Sequence, residues 1–429
     1  MSHLYLLGVA TLTLTSASFA GSDTNADLQA RLEAAETRIS ELSAVTNANW
    51  LNDTRADEIR GLVHDVLADA DTRASLQGSG ATAGYNGGFT VGSADGNWSL
   101  KINGLLQTRW TSVDNDLVVA GATGSQWSFD NARSWVHFSG TIAGDYSYDI
   151  RHDLNNATNN GGSWENGSMN LNDDWSLTMG SMKMASSREA MIGDQNQLAL
   201  DRSGMASFAN PTNFIVGQGA QLAYTGDDLR FMGQVFNNFA NVASANNDSS
   251  YALNIRAEFM VEGSGWGQFD TFTSADGGAS GTLIGVSWLT LDDGDTGATA
   301  AAGDQTGGVE LLTIDAQMQF GGSNLYVSYA DYSDSNTPNA AAGLLNTDSD
   351  TLTVMYGIYL DTDWELYGRY IDSDGSEDSP LNGSNISIGV NNYLAGQNAK
   401  WTTEITWDDS DSAADSDVTM ISSQLQFYF

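Results

Sequence analysis

The last eight residues, 422–429, read SSQLQFYF and end the chain on alternating aromatic side chains. In an extended strand, Leu425, Phe427 and Phe429 point to one face. Gln424 and Gln426 point to the other. The ends of soluble chains are usually polar and frayed. The alternation therefore predicts a closing β-strand with one face against apolar surroundings.

The same alternation recurs in segments of about ten residues from residue 98 to the C terminus. Short connections alternate with long ones, and all three prolines fall in long ones, where a missing N–H breaks no ladder. A seventeenth candidate at 266–274 would place tight turns on both rims, so we predict 263–280 as one long turn on the short-turn side. The sixteen predicted strands are 98–112, 129–143, 146–155, 164–171, 175–184, 217–226, 229–238, 250–262, 281–291, 309–320, 323–333, 349–361, 363–373, 384–394, 398–408 and 417–429.

An even number of strands, with short turns on one rim and long loops on the other, is typical of transmembrane β-barrels. A water-soluble β-sandwich would show the same alternation with its apolar face turned inward. Tryptophans favour the barrel, because they lie near strand ends on the apolar face, as an interfacial aromatic belt requires. These are Trp98, Trp110, Trp175, Trp288, Trp364, Trp401 and Trp407. We therefore predict an all-β transmembrane barrel of 16 antiparallel strands over 98–429.

The first twenty residues differ from this pattern. They have an apolar centre and end in a small-x-small sequence, Ser18 to Ala20, which predicts a signal peptide over 1–20. The alternative is a buried strand or a short anchor.

Residues 21–77 are poor in glycine and predict an α-helical or coiled-coil segment. Five apolar residues have the spacing of a coiled-coil seam, Leu28, Leu32, Ala35, Ile39 and Leu42. A capped second helix follows Asn52, and a helical hairpin folding on itself is left open beside a trimeric coil. Residues 78–97 are predicted as a linker.

The chain has 54 Asp and Glu against 16 Lys and Arg, a formal net charge of −38, and no Cys. This balance excludes nucleic acid as a partner, because phosphates need basic side chains. There is no GxSxG, HExxH or P-loop sequence, and the four histidines form no ligand cluster, so no enzyme is predicted.

Strand parity predicts which charged side chains face the aqueous lumen that sixteen strands enclose. The basic ones are Lys101, Arg109, Arg133, Arg151, Arg230, Arg256, Arg369 and Lys400. The acidic ones are Asp149, Asp153, Glu258, Glu262, Asp315, Glu365 and Glu404. Two interpretations stay open: a transverse field that filters solutes, or ion pairs that only stiffen the wall.

The long connections are acidic and would draw cations to the mouth of a channel. Asp372, Asp374 and Glu377 have oxygen ligands at a spacing that could hold Ca²⁺, although the stretch is too short for an EF-hand loop. An ordinary solvated loop is the alternative. No other cofactor is predicted.

Two stretches resemble the phosphate-selective porin O/P family. FSGTIAGDYSYDIRHDL (138–154) is similar to its early hairpin, and LTMGSMKMASSRE (177–189) is similar to its strand that leads into a folded-in third loop. The terminal Phe429 resembles the signal that the barrel-assembly machinery reads in outer-membrane proteins. A helical N terminus before such a barrel resembles porins of the planctomycete type.

The resemblance implies a trimeric diffusion channel whose loop 185–216 narrows the pore. The charged residues of that loop are Arg188, Glu189, Asp194, Asp201 and Arg202. Phosphate-selective members rely on basic residues in the eyelet, whereas residues 78–429 here hold 11 basic and 43 acidic side chains. Strong anion selectivity is therefore not expected.

These observations predict an outer-membrane porin that passes small hydrophilic solutes and ions with a mild cation preference. Its helical segment would be periplasmic, because both ends of an even-stranded barrel lie at the short-turn rim. Expected partners are outer-membrane lipid, two further copies of the chain, the barrel-assembly machinery and peptidoglycan. The alternatives are a structural outer-membrane anchor that tethers the envelope through the coil, and a secreted all-β binding protein.

Overall fold

The computed structural model describes residues 25–49, 61, 63, 80–115, 124–154, 163–203, 216–237, 251–292, 309–334, 348–375, 382–410 and 416–429. The chain forms two compact units, Met1–Gly78 and Ser79–Phe429. The predicted signal peptide lies outside the described residues, and so does nearly all of the predicted second helix.

Over its described residues, the first unit contains one long helix, α1 (Asn25–Asn49). Two residues of the predicted coiled-coil seam, Leu32 and Ile39, are 60% and 62% exposed on this helix. Among the described residues, no helix has the length and hydropathy that crossing a membrane requires.

The second unit is one antiparallel sheet that closes on itself. Its last sixteen strands pair in chain order, and the final strand returns to the first of the sixteen, which gives a closed transmembrane barrel. The predicted strands agree with the observed ones to within a few residues. The observed strands are β1 (Thr82–Tyr85), β2 (Phe89–Gly92), β3 (Ser99–Asn115), β4 (Ser125–Ile142), β5 (Tyr146–Asp153), β6 (Trp164–Asn170), β7 (Trp175–Lys183), β8 (Val216–Thr225), β9 (Leu229–Phe236), β10 (Tyr251–Glu262), β11 (Ser280–Asp292), β12 (Val309–Phe320), β13 (Ser323–Asp334), β14 (Ser349–Tyr359), β15 (Trp364–Gly375), β16 (Gly383–Gln397), β17 (Ala399–Ser410) and β18 (Ser416–Tyr428).

The C-terminal residues close the barrel. Phe429 and Gly104 exchange backbone hydrogen bonds of 2.9 and 3.0 Å, directly beyond the β18–β3 ladder. Phe427 and Phe429 are exposed on the outer face, whereas Gln424 and Gln426 are buried inside. The alternation at the chain end therefore follows the two faces of the wall. Leu425 is half-buried on the same face as the two phenylalanines.

The predicted linker, 78–97, contains a β-hairpin that the prediction missed. Its second strand, β2, pairs with the start of β3 below the end of β18. The turn contains Gly87 with a φ of 58°, a left-handed conformation that suits glycine. The Phe89 ring lies 6.3 Å from the Phe429 ring, so the hairpin extends the wall beside the closing seam.

The wall is uneven in height. β3 and β4 have 17 and 18 residues, whereas β5 and β6 have 8 and 7. Above the end of β5, Trp127 and Phe129 project from β4 and are 70% and 77% exposed. The predicted belt tryptophans are exposed or half-buried on the outer face.

Candidate functional site

The chain that follows β7 runs inside the barrel. Residues 184–203, hereafter the constriction segment, contain a short helix, α2 (Arg188–Met191), and a 3-10 turn, Asp194–Asn196. Ser187 caps α2 by accepting a hydrogen bond from the Ala190 N–H at 3.1 Å. The described part of the predicted constriction loop therefore lies in the lumen.

Polar side chains of the wall hold the backbone of this segment. The Arg188 N–H donates to Asp315 Oδ2 at 2.9 Å, and the Ala185 N–H donates to Gln234 Oε1 at 2.9 Å. On the other side of the barrel, the Lys400 ammonium donates to two carbonyl oxygens of the segment at 3.0 and 3.3 Å. The segment is thus fixed to two separate parts of the wall.

A second segment enters the lumen from the short-turn rim. Residues 263–279, hereafter the inserted turn, contain a 3-10 helix (Trp266–Asp270). Phe272 is 1% exposed and packs in a cluster with Ile192, Leu198, Ala199, Tyr326, Met355 and Tyr367. Arg188 Nε donates to the Phe269 carbonyl at 3.1 Å. The predicted long turn is therefore also an internal brace of the constriction segment.

Asp194 is the centre of one charge cluster in the constriction segment. Its carboxylate forms ion pairs with Arg202 at 2.6 Å, with Arg151 at 2.7 Å and with Arg133 at 3.9 Å. It also accepts a hydrogen bond from the Trp135 indole N–H at 3.1 Å. Burial opposes ionisation, but the three guanidiniums outweigh it and hold the pKa of Asp194 well below its ordinary value. This carboxylate is therefore charged at neutral pH.

Asp201 is the centre of a second cluster, formed by Arg109, Arg133 and Arg369. Arg109 reaches both Asp201 oxygens, at 2.6 and 2.9 Å, and Arg133 reaches Oδ1 at 2.8 Å. Arg369 donates to the Asp201 carbonyl at 2.6 Å. Enclosure opposes ionisation, yet Arg133 and Arg109 lower the pKa of Asp201 below its ordinary range. Its side chain is 50% exposed to the lumen.

A third cluster lies on the β9–β12 side. Arg256 is fully buried and pairs with Asp315 at 2.7 Å and with Glu258 at 2.9 Å. Glu258 also accepts from Arg230 and lies 3.7 Å from Arg188 of the constriction segment. These charges are paired along one side of the inner wall and are not free on its surface.

The other acids of the constriction and its wall are also hydrogen bonded. Glu189 accepts from the Ser203 N–H at 2.9 Å, and Arg202 Nε donates to the Glu189 carbonyl at 3.1 Å. Glu404 accepts from the Tyr367 hydroxyl at 2.7 Å. Glu365 accepts from Asn324 and Tyr393.

Four predicted lumen residues lie away from these clusters. Asp149 pairs with His137 at 2.9 Å and accepts from Trp164. Asp153 ends β5, and Lys101 lies beside the turn of the β1–β2 hairpin. Glu262 was predicted to line the pore, but it is exposed at the end of β10, after a register shift between Met260 and Glu262. The bulge and the nearby rim remove it from the lumen wall.

Aromatic side chains inside the lumen were missed by the sequence reasoning. The Arg151 guanidinium lies 4.4 Å from the Trp135 ring centroid and 4.6 Å from that of Trp164. Both tryptophans share strand parity with predicted lumen residues, Arg133 for Trp135 and the register partner Arg151 for Trp164. That parity was the available signal, and it outweighs the general preference of tryptophan for the lipid interface.

A cavity of about 580 Å³ lies between the inner face of β4–β9 and the beginning of the constriction segment. Asp149, Trp164, Asn166, Lys183 and Gln221 line part of it. The cavity is open, and a small solute would meet the hydrogen-bonding groups of these wall residues there.

The candidate Ca²⁺ residues do not form a loop over the part that the structure describes. Asp372 and Asp374 lie exposed on β15, which extends to Gly375, and Glu377 lies outside the described residues. The described residues contain no group of three or more His, Cys, Asp or Glu side chains that could hold a metal ion.

Comparisons with known proteins agree with this architecture. Residues 104–279 match the family model described as phosphate-selective porin O and P. The solved structure of OmpT of Vibrio cholerae, expressed in the outer membrane, is 10% identical, covers 78% of this chain and 98% of its own, and gives a TM-score of 0.52. A mutant porin of Rh. blastica is 12% identical, covers 76% of this chain and 100% of its own, and gives a TM-score of 0.43. No curated protein matches the chain.

The fold and the family match together support an outer-membrane porin. They favour a channel over an enzyme. The matched range begins within β3 and ends directly before β11, and it contains the constriction segment and the inserted turn.

Proposed function

We propose that the chain is a passive diffusion channel for small hydrophilic solutes and ions, with a mild cation preference. The observation that carries the proposal is a closed barrel whose lumen is narrowed, beside an open cavity, by its own constriction segment. Polar groups on both sides of such a passage replace part of a solute's hydration shell.

The proposed cation preference rests on two features: the lumen arginines are paired, and the connections outside the lumen are negatively charged. The lumen arginines that surround Asp194 and Asp201 are each engaged by a carboxylate or a carbonyl of the constriction segment. The long connections are rich in Asp, and the whole chain has a net charge of −38. A negative field from these connections would concentrate cations at the mouth.

Planar-bilayer recording of the detergent-purified protein tests the proposal. A channel should give stable conductance steps, and its reversal potential in a KCl gradient should lean towards the cation potential. Folded, heat-modifiable protein that gives no steps would reject the channel.

A structural anchor is the second candidate, because two segments of the chain pack inside the barrel. Phe272 of the inserted turn and Leu198 of the constriction segment share one buried cluster. A barrel filled in this way could serve as a rigid outer-membrane anchor that tethers the envelope through its N-terminal coil. Absence of conductance would favour this role.

We also propose that the barrel assembles as a homotrimer. Strands β5 and β6 have 8 and 7 residues, and a transmembrane strand needs about 9–11. The low wall that they form is therefore better covered by a second copy than by lipid. Cross-linking in detergent and native mass measurement test this state.

The remaining proposals concern export and the N-terminal segment. Residues 1–20 would be removed as a signal peptide, and the barrel-assembly machinery would recognise Phe429. The segment 21–77 would lie in the periplasm and contact peptidoglycan, which pull-down with purified sacculi tests. A Ca²⁺ site at Asp372, Asp374 and Glu377 stays a prediction, which calcium titration followed by calorimetry tests.

A further inference from the structure

The seam of the barrel, the ladder between β3 and β18, differs from the other ladders because its strands are not consecutive in the chain. Its register partners Gln107 and Gln426 are 319 positions apart. Bringing such distant positions together costs conformational entropy, and no turn holds the two strands side by side. Contacts that bridge the seam therefore have a direct effect on whether the barrel stays closed.

The edge of β3 at the seam is shared between two partners. β18 covers this edge as far as Gly104, which exchanges backbone hydrogen bonds with Phe429. Residues Ser99–Ile102 pair with β2 instead. Between the two ladders, Asn103 is 2% exposed and donates its side-chain N–H to the Gly87 carbonyl in the hairpin turn. The β1–β2 hairpin thus takes over the edge of β3 directly where β18 ends.

The hairpin also reaches the other side of the seam. The Tyr85 hydroxyl accepts a hydrogen bond of 2.9 Å from Asn398 Nδ2, in the turn between β16 and β17. The Asn398 carbonyl accepts from the Tyr428 N–H at 2.8 Å, so the same residue holds the end of β18. The hairpin is therefore bonded to β3 on one side of the seam and to the β16–β17 turn on the other.

A row of aromatic rings crosses the seam between these two attachments. The rings of Tyr85 and Phe89 meet edge to face at 5.6 Å, and the Phe89 ring lies 6.3 Å from that of Phe429. The Phe429 ring lies against Gly104, where a Cβ would come within 3.0 Å of three ring carbons. The hairpin thus contacts the last side chain of the closing strand.

We propose that the β1–β2 hairpin is a clasp that holds the seam closed at the short-turn rim. Its backbone fixes it to β3, and Tyr85 and Phe89 hold the end of β18 and the turn before β17. The clasp acts on barrel closure whether or not the lumen conducts. Its test is therefore independent of the proposed channel function.

Hydrogen–deuterium exchange of the detergent-purified protein, read by mass spectrometry, measures opening of the seam. The double variant Tyr85→Ala/Phe89→Ala removes both rings and keeps the backbone pairing of β2 with β3. We expect the exchange rate of peptide 418–429 to rise about tenfold, because a hydrogen bond and the aromatic contacts are lost. Peptides from β10 and β11, half-way round the barrel, should keep the wild-type rate.

Tyr146→Ala is the matched control. Tyr146 begins β5 at the same rim, away from the seam, and is 51% exposed, as is Tyr85. Its loss should leave peptide 418–429 unchanged. A wild-type rate at the seam of the double variant would overturn the proposal. An equal rise in β10 and β11, or in Tyr146→Ala, would also overturn it, because the effect would then not belong to the clasp.

A cross-link decides the question if the double variant yields no folded barrel. The chain has no Cys, so Tyr85→Cys/Asn398→Cys offers a short bifunctional thiol reagent two thiols, one on each side of the contact. The cross-linked protein should exchange more slowly over 418–429 than the same protein with its thiols capped separately. Equal rates, or no cross-link in the folded protein, would overturn the clasp.

Discussion

At the scale of single residues, Asp194 shows how one carboxylate can couple the constriction to pH. Its folded-state pKa is well below the ordinary 3.8, because Arg151, Arg202 and Arg133 outweigh the effect of burial. Above 3.8 the carboxylate is charged in both the folded and the unfolded chain, and its stabilisation is complete. Below that pH only the unfolded chain takes up the proton, so the stabilisation is lost as the pH falls towards the folded-state pKa.

We therefore expect Asp194→Asn to destabilise the barrel most at neutral pH. Three guanidiniums would lose a buried partner, which costs about 3–5 kcal/mol. The difference in unfolding free energy between wild type and variant should shrink as the pH falls below 3.8. Urea unfolding in detergent across this range measures it, and a difference that is constant with pH would contradict the assignment.

Arg256 gives a second prediction at this scale. It is fully buried and pairs with Asp315 and Glu258, so Arg256→Met would leave two carboxylates without their main partner. We expect a loss of about 3–5 kcal/mol in unfolding free energy. The control is Arg230→Met, which removes a less buried partner of Glu258 and should cost less. Equal losses in urea titrations of the two variants would show that burial of the pair is not the cause.

At the scale of elements, the fit between β3 and β4 depends on a glycine. A Cβ on Gly140 would lie 1.9 Å from the Ser99 carbonyl oxygen, and backbone atoms cannot move aside as a side chain can. We expect Gly140→Ala to destabilise the barrel by about 1–3 kcal/mol through overpacking. Gly167→Ala is the control, since its Cβ would meet nothing closer than 3.8 Å. The yield of heat-modifiable barrel on refolding compares the two, and equal yields would reject the argument.

The inserted turn and the constriction segment stabilise each other through Phe272. Phe272→Ala would open a void among Ile192, Leu198 and Tyr326 and cost about 3–5 kcal/mol. We expect a larger and noisier single-channel conductance, because the constriction segment loses its support. Phe272→Leu keeps most of the volume and should stay close to the wild type. Unchanged conductance in Phe272→Ala would show that the inserted turn does not limit the passage.

At the scale of the whole molecule, the sequence predicts the wall better than it predicts the lumen. Strand periodicity is local, so it located all sixteen barrel strands and the closing role of residues 422–429. It missed the β1–β2 hairpin, because two strands of four residues each are too short to show a period. Parity gave the direction of Arg109 and Arg369, but not their common partner.

The missing information concerns contacts between distant parts of the chain. Asp201 lies 92 positions from Arg109 and 168 positions from Arg369, and the loop that brings them together has no periodic pattern. Composition alone suggested a poor site for anions, since acids outnumber bases in the chain. The fold nevertheless places three arginines around Asp201. Local geometry and net charge therefore give different expectations for how anions interact with the lumen.

Ionic strength separates the effect of the acidic connections on ion selectivity from the effect of the charges inside the constriction. The Debye length is about 10 Å at 0.1 M salt and about 3 Å at 1 M, so a field from the acidic connections at the mouth would be screened in concentrated salt. We expect the cation preference of the wild type to fall when KCl gradients of equal ratio are raised from low to high mean concentration. Reversal potentials at the two concentrations decide the matter, and a preference that does not depend on salt would place its origin inside the constriction instead of at the mouth.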